Sequence, residues 1–349
     1  MNQMAQYKIA VLTSGGDAPG MNAAIYGLTA QAISANCQVY IVKNGYEGLI
    51  DNLIEPINYH QVKQHVHTSG SFIGSSRSSR FQNDQQLRQQ AVNNLKQHGI
   101  EALVVIGGNG SYQGAETIAN LGFPVITIPG TVDNDVNSSL VTIGFDSSAQ
   151  EILNCLKNLR QTGESHQAIF LIEAMGRDCV DLSVFAGITG LVDAIVTNEN
   201  IFSLDDFLAV INQTQLNQQR SVLFLITEKI YGPKFKLQLD DLSTLAQKIE
   251  AQTNRTTRVM VLGHLQRGAV PTFNEIKLAI GFGRKAVDLI VNNQFNLAIG
   301  SNGWEYYTTE LKTANQMTTV KRHELIAWNN SLTTIKNDCC HCHFSNQKK

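Results

Sequence analysis

Residues 103–135, LVVIGGNGSYQGAETIANLGFPVITIPGTVDND, carry the clearest indication of the fold of this chain. An apolar run that begins one residue earlier, 102–106, is typical of a fully buried strand. Three glycines then follow within four positions, which predicts a tight turn, and a helix is predicted from about residue 112 to residue 121. A second apolar run, 125–128, predicts a neighbouring strand. Because free N–H groups at a helix start bind anions, this order predicts a phosphate-binding turn in an α/β protein.

A loop with two carboxylates follows the second strand. Its sequence is PGTVDND, residues 129–135, and it contains Thr131, Asp133 and Asp135. Since ligands of open α/β sheets collect at the carboxyl ends of the strands, we expect this loop beside the glycine-rich turn. Such a pair suits phosphoryl transfer, because the turn holds a donor while a carboxylate takes a proton from an alcohol or carries Mg²⁺.

The rest of the chain repeats the alternation of apolar strands and helices. A second glycine-rich turn, SGGDAPGMN at 14–22, follows an apolar run at 8–13. A serine- and glycine-rich stretch ends at Arg77, which could reach a phosphate or could be a solvated surface residue. Later apolar runs that end in polar residues lie at 168–172, 222–226 and 259–262. The alternation predicts an α/β fold with two doubly wound lobes and mainly parallel sheets.

Length and composition set the organisation that we expect. The chain has 349 residues and a hydrophobic content of 43%, enough for two lobes. The first lobe is predicted to contain residues 1–144 and about 266–315, and the second residues 145–265 and about 316–335. Residues 336–349 hold cysteines and histidines without paired zinc-ligand spacing, so we expect a flexible tail.

Charge and hydropathy argue against two classes of partner. The formal net charge is −2 without a long basic run, which argues against nucleic acid as a partner. No apolar stretch approaches the length of a membrane span, and the first strand starts too early for a signal peptide. Scattered cysteines in apolar contexts are typical of reduced thiols, so we expect a cytoplasmic protein.

Five motifs together resemble the bacterial ATP-dependent 6-phosphofructokinases, over about residues 8–314. They are SGGDAPGMN, IGGNGS at 106–111, PGTVDND, MGR at 175–177 and GHLQRG at 263–268. The resemblance implies the glycolytic transfer of a phosphoryl group from ATP, with Mg²⁺, to the 1-hydroxyl of fructose 6-phosphate. It also implies that the first lobe binds nucleotide, that the second binds sugar phosphate, and that a homotetramer forms its sites between subunits.

The resemblance implies a role for each matched residue. The catalytic candidates are Asp133 as general base, Thr131 as the substrate contact beside it and Arg177 at the reacting end. The nucleotide-binding candidates are Gly15, Tyr46, Arg77, Ser78, Gly108, Asn109, Gly110 and Ser111. The substrate-binding candidates are Thr131, Asp133, Met175, Gly176, Arg177, Glu228, Arg258, His264 and Arg267. The metal candidates are Asn109 and Asp135.

The chain departs from the family pattern where charge matters. Asn109 stands where the family has an aspartate that contributes to the magnesium site, and Ala168 stands where it has the arginine of SHQR. Tyr26, Ala30 and Gln219 replace basic residues of the effector site. These substitutions predict a slow enzyme.

Three other functions are compatible with parts of the pattern. A catalytically impaired paralogue could bind nucleotide or sugar phosphate as a regulatory subunit. A pyrophosphate-dependent kinase tends to have a second acidic residue where this chain has Gly110, which leaves room for a nucleotide. A dinucleotide enzyme would need G-x-G-x-x-G, but the glycine after Gly108 and Gly110 is Gly114, one residue late.

Overall fold

The computed structural model describes residues 7–176, 178–231, 241–318 and 320–334. The chain divides into two compact units. The first consists of Met1–Glu151 and His264–Val320, and the second of Ile152–Gly263 and Lys321–Lys349. Among the described residues, none of the helices has both the length and the apolar character that crossing a membrane requires.

The helices flank the sheets of the two units. They are α1 (Met21–Ser34), α2 (Gly45–Ile50), α3 (Tyr59–Lys63), α4 (Ser79–Asn83), α5 (Gln85–Gln97), α6 (Asn109–Asn120), α7 (Phe145–His166), α8 (Asp181–Thr189), α9 (Leu204–Leu216), α10 (Leu242–Thr253), α11 (Phe273–Val291), α12 (Leu311–Ala314) and α13 (His323–Leu332). A short 3₁₀ turn spans Gly263–Leu265.

The strands alternate with these helices along the chain. They are β1 (Lys8–Ser14), β2 (Gln38–Val42), β3 (Ile54–Pro56), β4 (Ser75–Ser76), β5 (Ala102–Gly107), β6 (Val125–Pro129), β7 (Ile169–Ala174), β8 (Ala194–Val196), β9 (Val222–Thr227), β10 (Thr257–Val261), β11 (Leu297–Ser301) and β12 (Tyr306–Glu310).

The first unit is built on a mainly parallel sheet. Its strand order is β12-β11-β6-β5-β1-β2-β3, and β4 pairs with the end of β1. The edge strands β12 and β3 are antiparallel to their neighbours, while the central strands are parallel. Every residue of β5 is buried, because helices cover both faces of a parallel sheet, and the continuous apolar run 102–106 reflects this burial. The predicted fold class is confirmed.

The second unit contains a smaller sheet whose strands are all parallel, in the order β10-β7-β9-β8. Asn330 of α13 covers the outer edge of β8. Its Nδ2 donates to the carbonyl of Ile195 at 2.9 Å, and its Oδ1 accepts from the N–H of Ile195 at 2.8 Å. The side-chain amide therefore pairs with this edge as a further strand would.

Helix α7 contains the point at which the two units divide. The predicted boundary, residue 144, lies just before this helix, whereas the units divide at Glu151. Ser148 and Glu151 have the spacing of a capping box, which predicts a helix start at Ser148. That prediction is wrong, because the helix begins at Phe145 and the Ser148 hydroxyl donates to the carbonyl of Gln266 at 2.8 Å.

A buried carboxyl group lies where α11 begins. Glu275 is fully buried, and its Oε2 accepts hydrogen bonds from the N–H and the hydroxyl of Ser147 at 3.2 and 3.1 Å. Burial nevertheless dominates and raises the pKa of Glu275 from 4.5 to about 7. The folded state therefore holds this proton more tightly than the unfolded state does. The resulting stabilisation is complete below pH 4.5 and is lost as the pH rises through 7.

We predict that Glu275→Gln removes this pH dependence, because glutamine has nearly the same shape and stays neutral. Relative to the variant, the wild-type protein should lose on the order of 3 kcal/mol of unfolding free energy between pH 4.5 and pH 8. Urea unfolding across this range measures the difference, with the exposed Glu310→Gln as control. Parallel pH profiles for wild type and Glu275→Gln would show that the buried carboxyl does not titrate in this window.

Candidate functional site

Three loops meet at one edge of the larger sheet. The strands β1, β5 and β6 are adjacent and parallel, and their register places Ser14 beside Gly107 and Gly107 beside Pro129. The turn after β1, the GGNGS turn after β5 and the PGTVDND loop after β6 therefore begin side by side. The sequence prediction that the glycine-rich turn and the carboxylate loop are neighbours is confirmed for these residues.

Buried hydrogen bonds fasten the first two loops together. The Ser111 hydroxyl donates to the carbonyl of Ser14 at 3.0 Å, and the Tyr46 hydroxyl donates to the carbonyl of Ser111 at 2.7 Å. Tyr46 is 3% exposed and stacks on Phe81 with ring centroids 4.4 Å apart. Burial raises the pKa of Tyr46 above its ordinary value of 10.0, so its hydroxyl stays a donor. Tyr46 thus supports the GGNGS turn from its buried side.

The first turn of α6 is open to an anion. Gly108 is the N-cap residue in an extended conformation, and no side chain caps the helix. Asn109 and Gly110 are exposed, and a Cβ added to Gly110 would meet nothing within 4 Å. The leading N–H groups of a helix have no partner within it and carry its positive dipole end. A phosphate group fits this position.

The carboxylate loop is held by its own hydrogen bonds. The N–H of Thr131 donates to the carbonyl of Ile143 at 2.9 Å, and the N–H of Asp133 donates to the Thr131 hydroxyl at 3.2 Å. Asn134 adopts a left-handed conformation, and its side chain accepts from the N–H of Thr142 at 3.0 Å. These contacts leave Asp133 and Asp135 partly exposed at the sheet edge.

Asn109 and Asp135, the predicted metal ligands, contact each other directly. Asn109 Nδ2 lies 2.9 Å from the main-chain oxygen of Asp135 and 3.0 Å from its Oδ2. Both partners are acceptors, so the amide must present its N–H groups to Asp135 rather than its oxygen. Among the described residues, no three histidine, cysteine or acidic side chains form a metal-binding group. The pair therefore does not fit a cation held between these two side chains.

Arg77 and Ser78 reach the same sheet edge through β4. Strand β4 pairs with the end of β1, and the N–H of Gly15 donates to the carbonyl of Ser76 at 3.0 Å. Arg77, the next residue, is exposed. Ser78 is 5% exposed, and its hydroxyl accepts from the N–H of Phe81 at 2.9 Å as the N-cap of α4. Sequence reasoning missed this structural role, although the spacing from serine to the helix could have indicated it.

Arg267 packs against the turn after β1. A Cβ built on Gly16 would lie 1.5 Å from Arg267 Nη1, so the glycine makes room for the guanidinium group. Arg267 Nη1 also donates to the carbonyl of Asp17 at 3.5 Å. His264 lies in the exposed 3₁₀ turn just before it. These two sugar-phosphate candidates thus belong to the first compact unit.

The other sugar-phosphate candidates belong to the second unit. Ala174 pairs with Thr227, and the N–H of Glu228 donates to the carbonyl of Ala174 at 2.8 Å, so Met175 and Glu228 follow adjacent strand ends. Gly176 has φ +139°, and a Cβ there would lie 2.8 Å from the carbonyl of Cys179, which explains the glycine. Arg177 lies outside the described residues, as does the cysteine- and histidine-rich tail.

Arg258 is not brought to these strand ends within the unit. It pairs with Phe170, four residues before Ala174 on β7, which separates it by about 13 Å along the strand. It is exposed, and its Nη1 donates to Glu250 at 3.4 Å and to the carbonyl of Thr257 at 3.0 Å.

The substituted positions differ in their surroundings. Ala168 is buried directly before β7. Gln219 Nε2 donates to Asp193 Oδ1 at 3.0 Å, while Arg160 donates to Asp193 Oδ2 at 2.9 Å. The hydroxyls of Tyr26 and Tyr59 lie 3.0 Å apart. Ala30, on the same helix as Tyr26, is half-buried.

Comparison with known proteins identifies the family. Residues 8–290 match the model of the family described as Phosphofructokinase. The chain belongs to the phosphofructokinase family. It is 41% identical over 293 residues to the ATP-dependent 6-phosphofructokinase of Photobacterium profundum, covering 84% of this chain and 88% of that protein. The enzyme of the same name from Buchnera aphidicola is 39% identical over 321 residues, covering 91% of this chain and 97% of that one.

Solved structures of the family have the same fold. Phosphofructokinase from Saccharomyces cerevisiae superposes with a TM-score of 0.80 at 27% identity, covering 95% of this chain and 48% of that chain. This chain therefore spans about half the length of the yeast chain. The pyrophosphate-dependent phosphofructokinase from Marinobacter aquaeolei superposes with a TM-score of 0.79 at 20% identity, which shows the shared fold alone.

We predict that two glycines of the GGNGS turn respond oppositely to alanine. In Gly107→Ala the new Cβ would lie 2.4 Å from Ser111 Oγ and 2.5 Å from the carbonyl of Ser14, so the variant should lose about 1–3 kcal/mol of stability. Gly110→Ala has open space and a helical backbone, so it should gain about 0.5–1 kcal/mol. Urea unfolding compares the two variants, and equal stabilities would contradict the packing described for this turn.

Proposed function

We propose that this chain is an ATP-dependent 6-phosphofructokinase. It transfers the terminal phosphoryl group of ATP to the 1-hydroxyl of fructose 6-phosphate and so forms fructose 1,6-bisphosphate in glycolysis. The relatives named above support this substrate pair. The observation that carries the proposal is the meeting of the GGNGS turn, the open start of α6 and the Asp133 loop at one sheet edge.

In this proposal the nucleotide phosphates lie against the glycine-rich turns. Gly108 and Gly110 bring backbone N–H groups to the phosphates, with Ser111 next to them, and Gly15 lets the turn after β1 approach them. Arg77 supplies positive charge on the same edge, where Ser78 lies beside it. Such a site stabilises charge on the transferring group mainly through positioned donors.

Asp133 acts as the general base in this mechanism. Its carboxylate takes the proton of the sugar 1-hydroxyl while that oxygen forms a bond to the terminal phosphorus, and the bond from this phosphorus to the ADP oxygen breaks. Thr131 contacts the substrate beside it. We assign binding of the sugar phosphate to seven further residues, and this assignment stays a prediction. They are Met175, Gly176, Arg177, Glu228, Arg258, His264 and Arg267.

We retain Mg²⁺ as the cation that accompanies ATP, where it offsets phosphate charge. A hard cation favours charged oxygen ligands, and the amide of Asn109 presents N–H groups to Asp135. We therefore route no step of the reaction through an ion held by this pair.

We further propose that copies of the chain assemble as a homotetramer in the cytoplasm. Among the described strands β10 lies at the edge of its sheet and carries the exposed Arg258, Met260 and Val261, and an exposed strand edge favours coverage by another chain. Since Arg258 lies far from the strand ends of its own unit, an interface would give it a sugar phosphate to bind in a neighbouring copy. Cys37 is a free cysteine, which accords with a reducing compartment.

The direct test is product formation. Purified protein should form fructose 1,6-bisphosphate from fructose 6-phosphate with ATP and should not do so with pyrophosphate. Turnover with pyrophosphate alone would replace the proposed donor, and no turnover with either would favour the impaired paralogue.

We predict that Asp133→Ala abolishes most turnover without weakening nucleotide binding. Loss of a positioned general base should lower kcat roughly 100- to 10,000-fold. Coupled assay gives kcat, and calorimetric titration gives the ATP affinity, with the exposed Asp205→Ala as control. A variant that keeps more than half of the wild-type rate would refute the assigned role.

We predict that Met260→Lys weakens assembly. Met260 lies on the same face of β10 as Arg258, so a lysine would bring an uncompensated charge into the proposed interface. A cost of about 3 kcal/mol corresponds to roughly 100-fold weaker association. Sedimentation velocity measures the assembly state, and Leu216→Lys, an exposed apolar residue on α9, is the control. Equal assembly of the two variants would place the interface elsewhere.

A further inference from the structure

Two contacts anchor the carboxylate loop to the glycine-rich turn, one at each end of the loop. At its start, the N–H of Gly130 donates to the carbonyl of Gly107 at 3.0 Å. At its far end, Asn109 Nδ2 donates to the main-chain oxygen and to Oδ2 of Asp135, at 2.9 and 3.0 Å. Asp133 lies between the two anchors. Its orientation toward the phosphate-binding turn therefore depends on both of them.

At the far end of the loop, the amide group of Asn109 interacts with Asp135 as a small cation would. An amide NH₂ group carries partial positive charge and two donors, and here both donors are directed at the oxygens of one residue. A divalent cation would hold the same carboxylate by the same attraction, but it would need further charged oxygens around it. The amide needs no such ligands, because it is covalently attached to the chain at Asn109, the first residue of α6.

We propose that Asn109 is a positioning residue that replaces a divalent cation in holding Asp135 against the phosphate-binding turn. The loop that carries Asp133 is thereby ordered before nucleotide or metal arrives. This inference deepens the proposed nucleotide site and rests on that proposal for its functional meaning. Its physical content, an ordered loop without a cation, concerns the unliganded chain.

Two substitutions at this position separate a cation substitute from an ordinary structural contact. Asn109→Ala removes both hydrogen bonds and leaves nothing that a cation could restore. Asn109→Asp puts a second carboxylate beside Asp135, so repulsion releases the loop until a divalent cation bridges the pair. Alanine and aspartate are both accepted in the first turn of a helix, where the charge of aspartate also interacts favourably with the helix dipole. The variants should therefore fold.

Hydrogen exchange of the unliganded protein measures loop order. Two backbone amides report on the loop. The N–H of Asp133 donates to the Thr131 hydroxyl, and the N–H of Thr142 donates to Asn134 Oδ1. Without divalent cations, both variants should exchange these amides roughly tenfold faster than wild type or more. Added Mg²⁺ should restore the wild-type rate in Asn109→Asp and leave wild type and Asn109→Ala unchanged. Strand β9 serves as the internal reference, and the exposed Asn93→Asp is the matched charge control.

Electron paramagnetic resonance of Mn²⁺, without nucleotide, gives a second readout. Asn109→Asp should bind Mn²⁺ at least about tenfold more tightly than wild type or Asn93→Asp. The inference is overturned if wild type binds Mn²⁺ equally well, if Asn109→Ala exchanges at the wild-type rate, or if Mg²⁺ fails to restore Asn109→Asp. These measurements need no turnover, so the two proposals can fail separately. A wild-type protein that is inactive but has a cation-independent loop would refute the proposed kinase function and still support the inference about Asn109.

Discussion

The hydroxyl of Ser111 holds the ends of β1 and β5 at a fixed separation, and the geometry of the candidate site depends on this contact. It donates to the carbonyl of Ser14, while the carbonyl of Ser111 accepts from the buried Tyr46. Both hydrogen bonds are buried, and a buried polar group without a partner costs about 1–3 kcal/mol of stability. Separating the two strand ends would therefore destabilise the fold. Gly107 must lack a side chain for the same reason, since a Cβ there would meet both partners of the Ser111 hydroxyl bond. The GGNGS turn is thus held rigidly on its buried side, while Asn109 and Gly110 are exposed on the other.

The part of the fold that sequence could predict is the part that burial dictates. The runs 102–106 and 8–13 predict strands that the structure extends by one residue each, to Ala102–Gly107 and Lys8–Ser14. Both strands are central in a parallel sheet, so nearly every side chain must be apolar. The short strand β4 has no such pattern, because it consists of two serines that pair with β1, and the Ser76 hydroxyl donates to the carbonyl of Asn44 at 2.6 Å. Strands of this kind follow from tertiary pairing and carry no periodicity to detect.

The candidate site divides in the same way. That the loops after β5 and β6 are neighbours follows from parallel strands, and sequence was sufficient to predict it. The start of α6 was predicted three residues late, because Asn109 and Gly110 suit a turn, yet an exposed first helical turn accepts them. The roles of individual side chains were less predictable. The burial of Tyr46 and the register that removes Arg258 from the strand ends depend on contacts distant in sequence.

The substitutions that distinguish this chain fall into two physical classes. Asn109 and Gln219 have lost a charge relative to the family pattern, but each donates a hydrogen bond to a carboxylate, Asp135 and Asp193 respectively. Both side chains therefore still make a local polar contact, and in the proposed site the missing charge would weaken only the long-range attraction for phosphate or cation. Ala168 has no polar group and is buried, so at that position both the contact and the charge are lost. A neutral amide cannot replace charge in the transition state, where electrostatic stabilisation is greatest, but it can keep a catalytic loop in place. The slow turnover expected from the sequence would then come from the height of the chemical barrier rather than from a disordered site.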